Sequence, residues 1–491
     1  MHSVIAILLL LGIFSLTACS TPLATDIPAP TRTETQAAPT RTVRISTATA
    51  FIPTATALPP SPTVSPPTVT LAPTRTPTRK ATRATIPDGL PDTLAAWEET
   101  VAEIAASADA QARVNALWEK LVRTRNVPFI VNDRVIFLYR GEATSVHWHG
   151  DFSFWAQGKP IQGQRAPNTD LWYGVANFPR DSRTDYQIVL NETQEILDPA
   201  NPQRRNDGLD FNNVLTMPDF QITDETRRRP GIATGTLTDW IALESQAMEH
   251  PVNYRVYSPA GYAKLEKLPV LYVTDGNNFF DDRIGAMNAV LDNLIADGRI
   301  APVLAVYIDA REPNPPHTNR RVNDFLVTPE KFAQFITQEL IPTIDAQYRS
   351  DASRDARVLV GASFGGVFGT YAALRYPDVF GKLAAFSPAY WVLDNPNGAG
   401  SNAASGGQRM NDFIARAYNC GKSDVPCPAS PQKIFFSTGI PGWDVGDLNP
   451  RAEPLRARGD TVQIFQIQEG HNWGAWSGLT DEMLEYFFAA H

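Results

Sequence analysis

A serine flanked by glycines, between a strand-like and a helix-like run, constrains the fold of this chain more than any other feature. The segment 361–366 has the sequence GASFGG, follows the apolar run that ends at Val360, and precedes a helical pattern over 367–375. A tight strand-to-helix turn projects a serine hydroxyl outward, and neighbouring glycines let the backbone pass without steric clash. The segment therefore predicts a nucleophile elbow with Ser363 at its tip.

The chain around this elbow alternates between buried strands and helices. Continuous apolar runs occur at 268–273, 303–308, 357–360 and 433–436, and a helical pattern spans 329–348. Runs of this kind are typical of strands that are covered on both faces. The alternation predicts a mostly parallel sheet between helices, and so an α/β fold for residues 229–491.

A serine nucleophile needs a base and an acid, which in this fold follow in the order serine, acid, histidine. His471 comes just after the predicted strand 462–467, in a loop that can reach the elbow. The acid is expected after the strand 434–437, where it would hold the imidazole in its working tautomer. Asp444 and Asp447 both qualify there. Asp444 is favoured because it is nearer the strand end, and Asp447 stays open as the alternative.

Two backbone N–H groups are expected to stabilise a developing oxyanion. One belongs to Phe364, the residue after the nucleophile. The other belongs to the loop after the strand 270–273, at Gly276 or Asn277.

The chain before residue 229 has two different patterns. Apolar residues recur at three- and four-residue steps within 88–127, which predicts two short helices broken near 107–109. Short β-rich runs separated by Gly, Asp, Asn and Pro fill 128–228, which predicts a small β-sandwich. His147 and His149 alternate in one run, but without a third ligand they are interpreted as polar strand residues. No metal or other cofactor is predicted.

The N-terminal region carries sorting signals. The apolar run 4–16 is shorter than the about 20 residues that cross a bilayer, so residues 1–19 are predicted to be a signal peptide. Small residues followed by Cys19 resemble the lipobox of bacterial lipoproteins, which implies lipidation of that cysteine; an ordinary secretory signal is the alternative. Residues 20–87 are dominated by Thr and Pro and are predicted to be a disordered tether. The predicted location is extracytoplasmic and membrane-anchored, at the cell surface or the periplasmic face.

Charge and cysteine content limit the partners. The net charge of −9 has the wrong sign for a phosphate backbone, so no nucleic-acid partner is expected. In an oxidising compartment Cys420 and Cys427 are expected to form a disulfide, with two free thiols as the alternative.

From about residue 231 to the C-terminus, the chain resembles the esterase family that includes enterochelin esterase, feruloyl esterases, S-formylglutathione hydrolase and the mycolyltransferases. The resemblance is carried by the elbow and by residues 271–276, 321–324, 339–342, 387–391 and 469–476. Residues 135–220 resemble the early-set immunoglobulin-like domain that precedes the catalytic domain of enterochelin esterases. The resemblance implies an α/β-hydrolase domain after a small β-sandwich.

The same resemblance implies a serine esterase that forms an acyl-serine intermediate. Arg321 is expected to orient the substrate, although Asp324 stands where the enterochelin esterase branch has a glutamate. Aromatic walls for a phenolic acyl group are expected from Tyr390, Trp391, Trp473 and Trp476, with core packing as the alternative for each.

The expected substrate is a small-molecule or polysaccharide-linked ester, and the protein is expected to be a monomer. Two alternatives remain open at this point. One is an acyltransferase of the same fold, and the other is a non-catalytic surface lipoprotein that binds a glycan or siderophore.

Overall fold

The structure, a computed structural model, describes residues 79–80, 88–155, 158–208, 210–314, 317–394 and 407–490. The predicted signal peptide 1–19, with Cys19, and all of the predicted tether except 79–80 lie outside these ranges. Within them, no helix combines the length and the apolar character that crossing a membrane requires.

Two helices open the folded part. Helix α1 is Leu94–Ala106 and helix α2 is Ala110–Arg123, so the break falls near residues 107–109. Thr93 caps α1, since its hydroxyl accepts a hydrogen bond from the Ala96 N–H at 3.1 Å. The buried faces of both helices pack against the first sheet.

The next part of the chain forms two antiparallel sheets, here called the sandwich. Its strands, after the short β1 (Arg79–Lys80), are β2 (Phe129–Val131), β3 (Arg134–Arg140), β4 (Val146–Gly150), β5 (Ile161–Gln162), β6 (Gln164–Arg165), β7 (Leu171–Asn177), β8 (Arg183–Leu190), β9 (Gln194–Ile196), β10 (Arg204–Asn206) and β11 (Phe211–Thr216). One sheet has the order β2-β3-β7-β6, and the other has the order β10-β11-β8-β4-β5 with β9 beside β8. A further strand, β12 (Gln221–Ile222), pairs with β1.

Strand β3 explains why one run in the sandwich is continuously apolar. Val135 and Phe137 belong to the core between the two sheets, whereas Ile136 and Leu138 pack against α1 and α2. Successive side chains of a strand point to opposite faces, so a strand covered on both sides must be apolar at every position.

The second part of the chain forms one nine-stranded sheet. Its strands are β13 (Thr236–Leu237), β14 (Ile241–Leu243), β15 (Val252–Ser258), β16 (Val270–Val273), β17 (Leu304–Ile308), β18 (Arg357–Ala362), β19 (Lys382–Phe386), β20 (Lys433–Thr438) and β21 (Thr461–Gln466). The order is β13-β15-β17-β16-β18-β19-β20-β21, with β14 beside β15. Strands β16 to β21 run parallel, and β15 is antiparallel to β17.

Helices cover both faces of this sheet. They are α3 (Gly276–Phe279), α4 (Met287–Ala296), α5 (Pro329–Gln334), α6 (Ile341–Gln347), α7 (Phe364–Arg375), α8 (Gln408–Tyr418), α9 (Asn449–Arg458), α10 (Trp473–Ser477) and α11 (Thr480–Phe488), with π-helical turns at Val322–Val327 and Phe335–Leu340. In β16, Val270 and Tyr272 join one core while Leu271 and Val273 join the other. The predicted α/β fold class is therefore confirmed. A disulfide between Cys420 and Cys427 follows α8.

The topology decides where functional side chains meet. Because β18, β20 and β21 are parallel, the loops that follow them leave the sheet at the same edge. These loops carry Ser363, Asp444 and His471. The sandwich and the nine-stranded sheet both belong to one compact unit, Ala72–His491.

Candidate active site

Ser363 lies in a strained turn between β18 and α7. Its φ of 54° and ψ of −116° fall in a region that non-glycine residues rarely adopt. A Cβ on Gly361 would collide with the carbonyl oxygen of Gly365, and one on Gly365 would lie 2.5 Å from Thr274 Oγ1. Both glycines are therefore required for this turn.

A continuous hydrogen-bonded chain joins the serine, the histidine and one aspartate. His471 Nε2 is 2.9 Å from Ser363 Oγ, and His471 Nδ1 is 2.7 Å from Asp444 Oδ1. The Asp444 side chain is fully buried and that of His471 is 19% exposed. With Nδ1–H donating to the carboxylate, Nε2 is left to accept the serine proton.

Asp444, and not Asp447, reaches the histidine. Its second oxygen accepts hydrogen bonds from Ser387 Oγ at 2.7 Å and from the Gly439 N–H at 2.5 Å. Asp447 is exposed and accepts from the backbone and side chain of Asn449 at the start of α9. Ser387 is a contact that sequence reasoning missed. It lies in the family-like segment 387–391, but no local pattern indicates that its hydroxyl binds the acid.

The three predicted oxyanion donors stand at helix starts. Phe364 begins α7, and Gly276 and Asn277 begin α3. The first N–H groups of a helix have no partner within the helix, so they remain available to an anion. A Cβ on Gly276 would lie 2.5 Å from the backbone of Tyr307, which explains the glycine there.

Arg321 pairs with Asp275 and not with Asp324. Its Nε and Nη2 lie 2.6 Å and 3.0 Å from the two Asp275 oxygens, while Asp324 is paired with Arg320. Burial raises the pKa of Asp275, and the Arg321 charge opposes that rise. The guanidinium also lies 5.2 Å from the Phe364 ring centroid. Arg321 thus connects the segments that carry both sets of oxyanion donors.

The four predicted wall aromatics divide into two pairs. Trp391 and Trp476 flank His471, with ring centroids 6.2 Å and 5.2 Å from the imidazole. Tyr390 is only 2% exposed and its hydroxyl bonds to Thr370 at 2.8 Å, so it is a core residue and the wall prediction is corrected for it. Trp473 is likewise buried in the core, and Trp476, although it contacts His471, is buried to the same extent in that core.

One aromatic residue near the site comes from the sandwich. The Phe154 ring centroid lies 5.5 Å from that of Trp391. Phe154 follows the turn at 150–152, which the sequence marks only by its likeness to a family segment. No sequence pattern predicts that a residue of the sandwich contacts Trp391.

The histidines of β4 form no metal site with other ligating groups. The His147 and His149 rings are 6.5 Å apart, and His149 lies 3.7 Å from Glu195. Across the described ranges, no three His, Cys, Asp or Glu side chains converge as a metal site requires.

The fold and the site geometry define an α/β-hydrolase-fold protein with a Ser–His–Asp arrangement at the carboxyl edge of its sheet. The model of the family described as "Putative esterase" matches residues 245–419. The chain is 28% identical over 249 residues to an endo-1,4-beta-xylanase/feruloyl esterase of Xylanibacter ruminicola, covering 48% of this chain and 29% of that protein. It is 25% identical over 352 residues to the iron(III) enterobactin esterase of Escherichia coli O6:H1, covering 65% of this chain and 80% of that protein.

Solved structures agree on the fold. The crystal structure of the ferric enterobactin esterase from Salmonella typhimurium matches with a TM-score of 0.55 at 18% identity, over 72% of this chain and 93% of that one. The matched 72% of this chain is more than the fraction that forms the nine-stranded sheet and its helices. The chain is thus similar to this esterase family and to enterobactin and feruloyl esterases. It nevertheless spans less than two thirds of several curated relatives, including the xylanase/feruloyl esterase.

Proposed function

We propose that this protein is a serine esterase that hydrolyses carboxylic esters through an acyl-serine intermediate. The single observation that carries the proposal is the unbroken chain from Ser363 Oγ through His471 to the buried Asp444. A nucleophile, a base and an orienting acid within hydrogen-bond distance are the geometry that acyl transfer requires.

In the acylation step, Ser363 Oγ attacks the ester carbonyl carbon while His471 Nε2 takes the hydroxyl proton. The carbonyl oxygen becomes an oxyanion, which the N–H groups of Phe364 and of Gly276 or Asn277 stabilise. The C–O bond to the alcohol then breaks, and the imidazolium gives its proton to the departing alkoxide. Asp444 holds the Nδ1–H throughout and stabilises the imidazolium.

In the deacylation step, water takes the place of the alcohol. His471 removes one proton from the water as its oxygen attacks the acyl carbon, and Ser363 leaves with that proton. The products are a free carboxylic acid and the restored serine. An acceptor alcohol in place of water would give acyl transfer by the same steps, so product analysis separates the two reactions.

We propose an ester with an aromatic acyl group as the substrate class, free or linked to a polysaccharide. Trp391 beside His471, with Phe154 next to it, supplies flat apolar surfaces on which an aromatic ring packs; both side chains are partly exposed. The names of the enterobactin esterase and feruloyl esterase relatives point to ester substrates as well.

The proposed setting is outside the cytoplasm, with a monomeric body tethered to a membrane by lipidated Cys19. The proposed domain order is signal 1–19, tether 20–87, helical segment 88–127, sandwich 128–228 and hydrolase 229–491. The disulfide between Cys420 and Cys427 is consistent with an oxidising compartment.

The test is hydrolysis of a p-nitrophenyl ester by the Ser363→Ala variant. Loss of the nucleophile is expected to lower kcat by at least about 1,000-fold while the Tm changes by no more than about 2 °C. The matched control is Ser353→Ala, an exposed serine before the opposite end of β18, which is expected to leave kcat unchanged. Activity that persists in Ser363→Ala overturns the proposal, and a folded wild type without activity favours the ligand-binding alternative.

A further inference from the structure

The loop that carries His471, residues 467–472 and here called the histidine loop, is held by the sandwich. The backbone N–H of Arg183, at the start of β8, donates to the Gln468 carbonyl at 2.9 Å. The Arg183 guanidinium pairs with Glu469, and Arg205 Nη1 of β10 lies 3.3 Å from the same carboxylate. Residues of two sandwich strands, β8 and β10, therefore bind the two loop residues Gln468 and Glu469.

The residues on both sides of His471 meet the sandwich directly. Asn472 donates to Asp151 Oδ2 at 2.7 Å and accepts from Arg205 Nη1 at 3.2 Å. A Cβ on Gly470 would collide with the Asp151 side chain, so the backbone here lies against the sandwich with no room between them. The residues directly before and after His471 are thus both held against the sandwich.

The loop of the acid touches the sandwich as well. Trp443 precedes Asp444, and its ring lies 5.4 Å from Phe178 and 6.4 Å from Phe152 between centroids. Its carbonyl accepts a hydrogen bond from the His471 N–H at 3.1 Å. The sandwich therefore contacts the loops of both the base and the acid.

These contacts involve charges that water cannot easily screen. The Asp185 and Glu469 side chains are fully buried, and Asp151 is 0% exposed. The guanidinium groups of Arg183 and Arg205, each less than 15% exposed, both pair with Glu469, and that of Arg205 also lies 3.6 Å from Asp185. Removing one partner of a buried ion pair leaves the other charge uncompensated, so that group must be neutralised by a proton or the loop that carries it must move.

We infer that Arg205, together with Asp151 and Arg183, positions His471 for catalysis, so that the sandwich is part of the catalytic apparatus. The inference rests on the proposed function insofar as His471 acts as the base. The contacts of these three residues described above run to residues 468, 469, 470 and 472, so they act through the histidine loop. A displacement of about 1 Å at a reacting group is enough to cost about 100-fold in rate.

The test compares Arg205→Met with Arg299→Met in the full chain. Arg299 is a matched control because it also bridges two carboxylates, Glu225 and Glu485, at 20% exposure and away from the histidine loop. Arg205→Met is expected to lower kcat by about 10- to 100-fold with KM within about twofold of wild type, because geometry and not binding is lost. Arg205→Lys, which keeps the charge but loses the fork, is expected to recover part of kcat.

Hydrogen–deuterium exchange gives a readout that does not depend on activity. Amides of residues 468–472 are expected to exchange faster in Arg205→Met and at the wild-type rate in Arg299→Met. Wild-type kcat in folded Arg205→Met, or unchanged exchange in these amides, overturns the inference; if that variant does not fold, Arg205→Lys is judged by the same two criteria. An inactive wild type would instead contradict the proposed function, and the exchange result would still decide the positioning role.

Discussion

The serine and the histidine of this site are held in different ways. Ser363 is fixed by its own strand and helix, with Gly361, Gly365 and Thr274 in close contact around the turn. The loop of His471 is held by side chains that lie 264 to 321 residues before the loop residues they contact. The proposed nucleophile is therefore positioned by the nine-stranded sheet and its adjacent helix, whereas the proposed base also depends on contacts with the sandwich.

This difference implies two kinds of sensitivity to mutation. Mutations in the sandwich are expected to displace His471 and to leave Ser363 in its turn. Changes at the carboxyl edge of the sheet are expected to remove the nucleophile or the acid directly. The predictions below separate these two effects, beginning with the acid.

Asp444→Asn is expected to lower kcat by about 1,000- to 10,000-fold, because an amide no longer fixes the tautomer or stabilises the imidazolium. Asp447→Asn is the matched control, since Asp447 is exposed and contacts only the start of α9. It is expected to keep kcat within about twofold, as is usual for an exposed substitution. The measurement is kcat for one ester by steady-state kinetics. A larger loss of kcat in Asp447→Asn than in Asp444→Asn would assign the role of the acid to Asp447.

Gly470→Ala is expected to lower kcat by about 10- to 100-fold, because the new methyl collides with Asp151 and pushes the histidine loop away from the sandwich. Gly421→Ala places the same methyl in open space and is expected to behave as wild type. Equal kcat values for the two folded variants would show that the loop does not need its contact with Asp151.

The smallest expected effect is a pH dependence of stability at the contact with the sandwich. Burial, with the nearby Asp185 carboxylate, raises the pKa of Asp151 from 3.8 to about 7. Between about pH 4 and 7 the folded state then binds a proton that the unfolded state has released, so stability falls as pH rises through this window and levels off above it.

Asp151→Asn removes this titration and is expected to flatten the corresponding part of the stability curve. The measurement is the free energy of unfolding in urea across this pH range, taken as wild type minus variant to cancel the other carboxylates. A difference that is constant with pH, or that grows as pH rises, would contradict the raised pKa.

The sequence predicts the local features of the site and not the distant ones. The elbow, the alternation of strands and helices around it and the position of His471 after a strand follow from short patterns, because each is set by neighbours in the chain. The decision between Asp444 and Asp447 depends on the path of a loop, which residue types do not determine. The partner of Arg321 is Asp275, 46 residues earlier, and no spacing rule connects them.

The anchoring of the histidine loop was the least predictable feature. Arg183 and Arg205 look like ordinary strand-end charges in the sequence, and Asp151 looks like a turn residue. Their contacts with the histidine loop form because the sandwich lies against the part of the chain that contains the nine-stranded sheet, and no sequence pattern predicts this arrangement. Tyr390 shows that a family-like segment alone does not separate a wall from a core residue, since core packing was the alternative for it and its side chain is buried.

The most direct test of the central claim is treatment of the full chain with a fluorophosphonate probe, followed by mass spectrometry of its peptides. Such probes label rapidly only a serine that a base activates. The account predicts one adduct, on Ser363, formed in the wild type and strongly slowed in Arg205→Met but not in Arg299→Met. No adduct on Ser363 in folded wild-type protein would contradict the serine mechanism, and equal labelling of both variants would contradict the role of the sandwich.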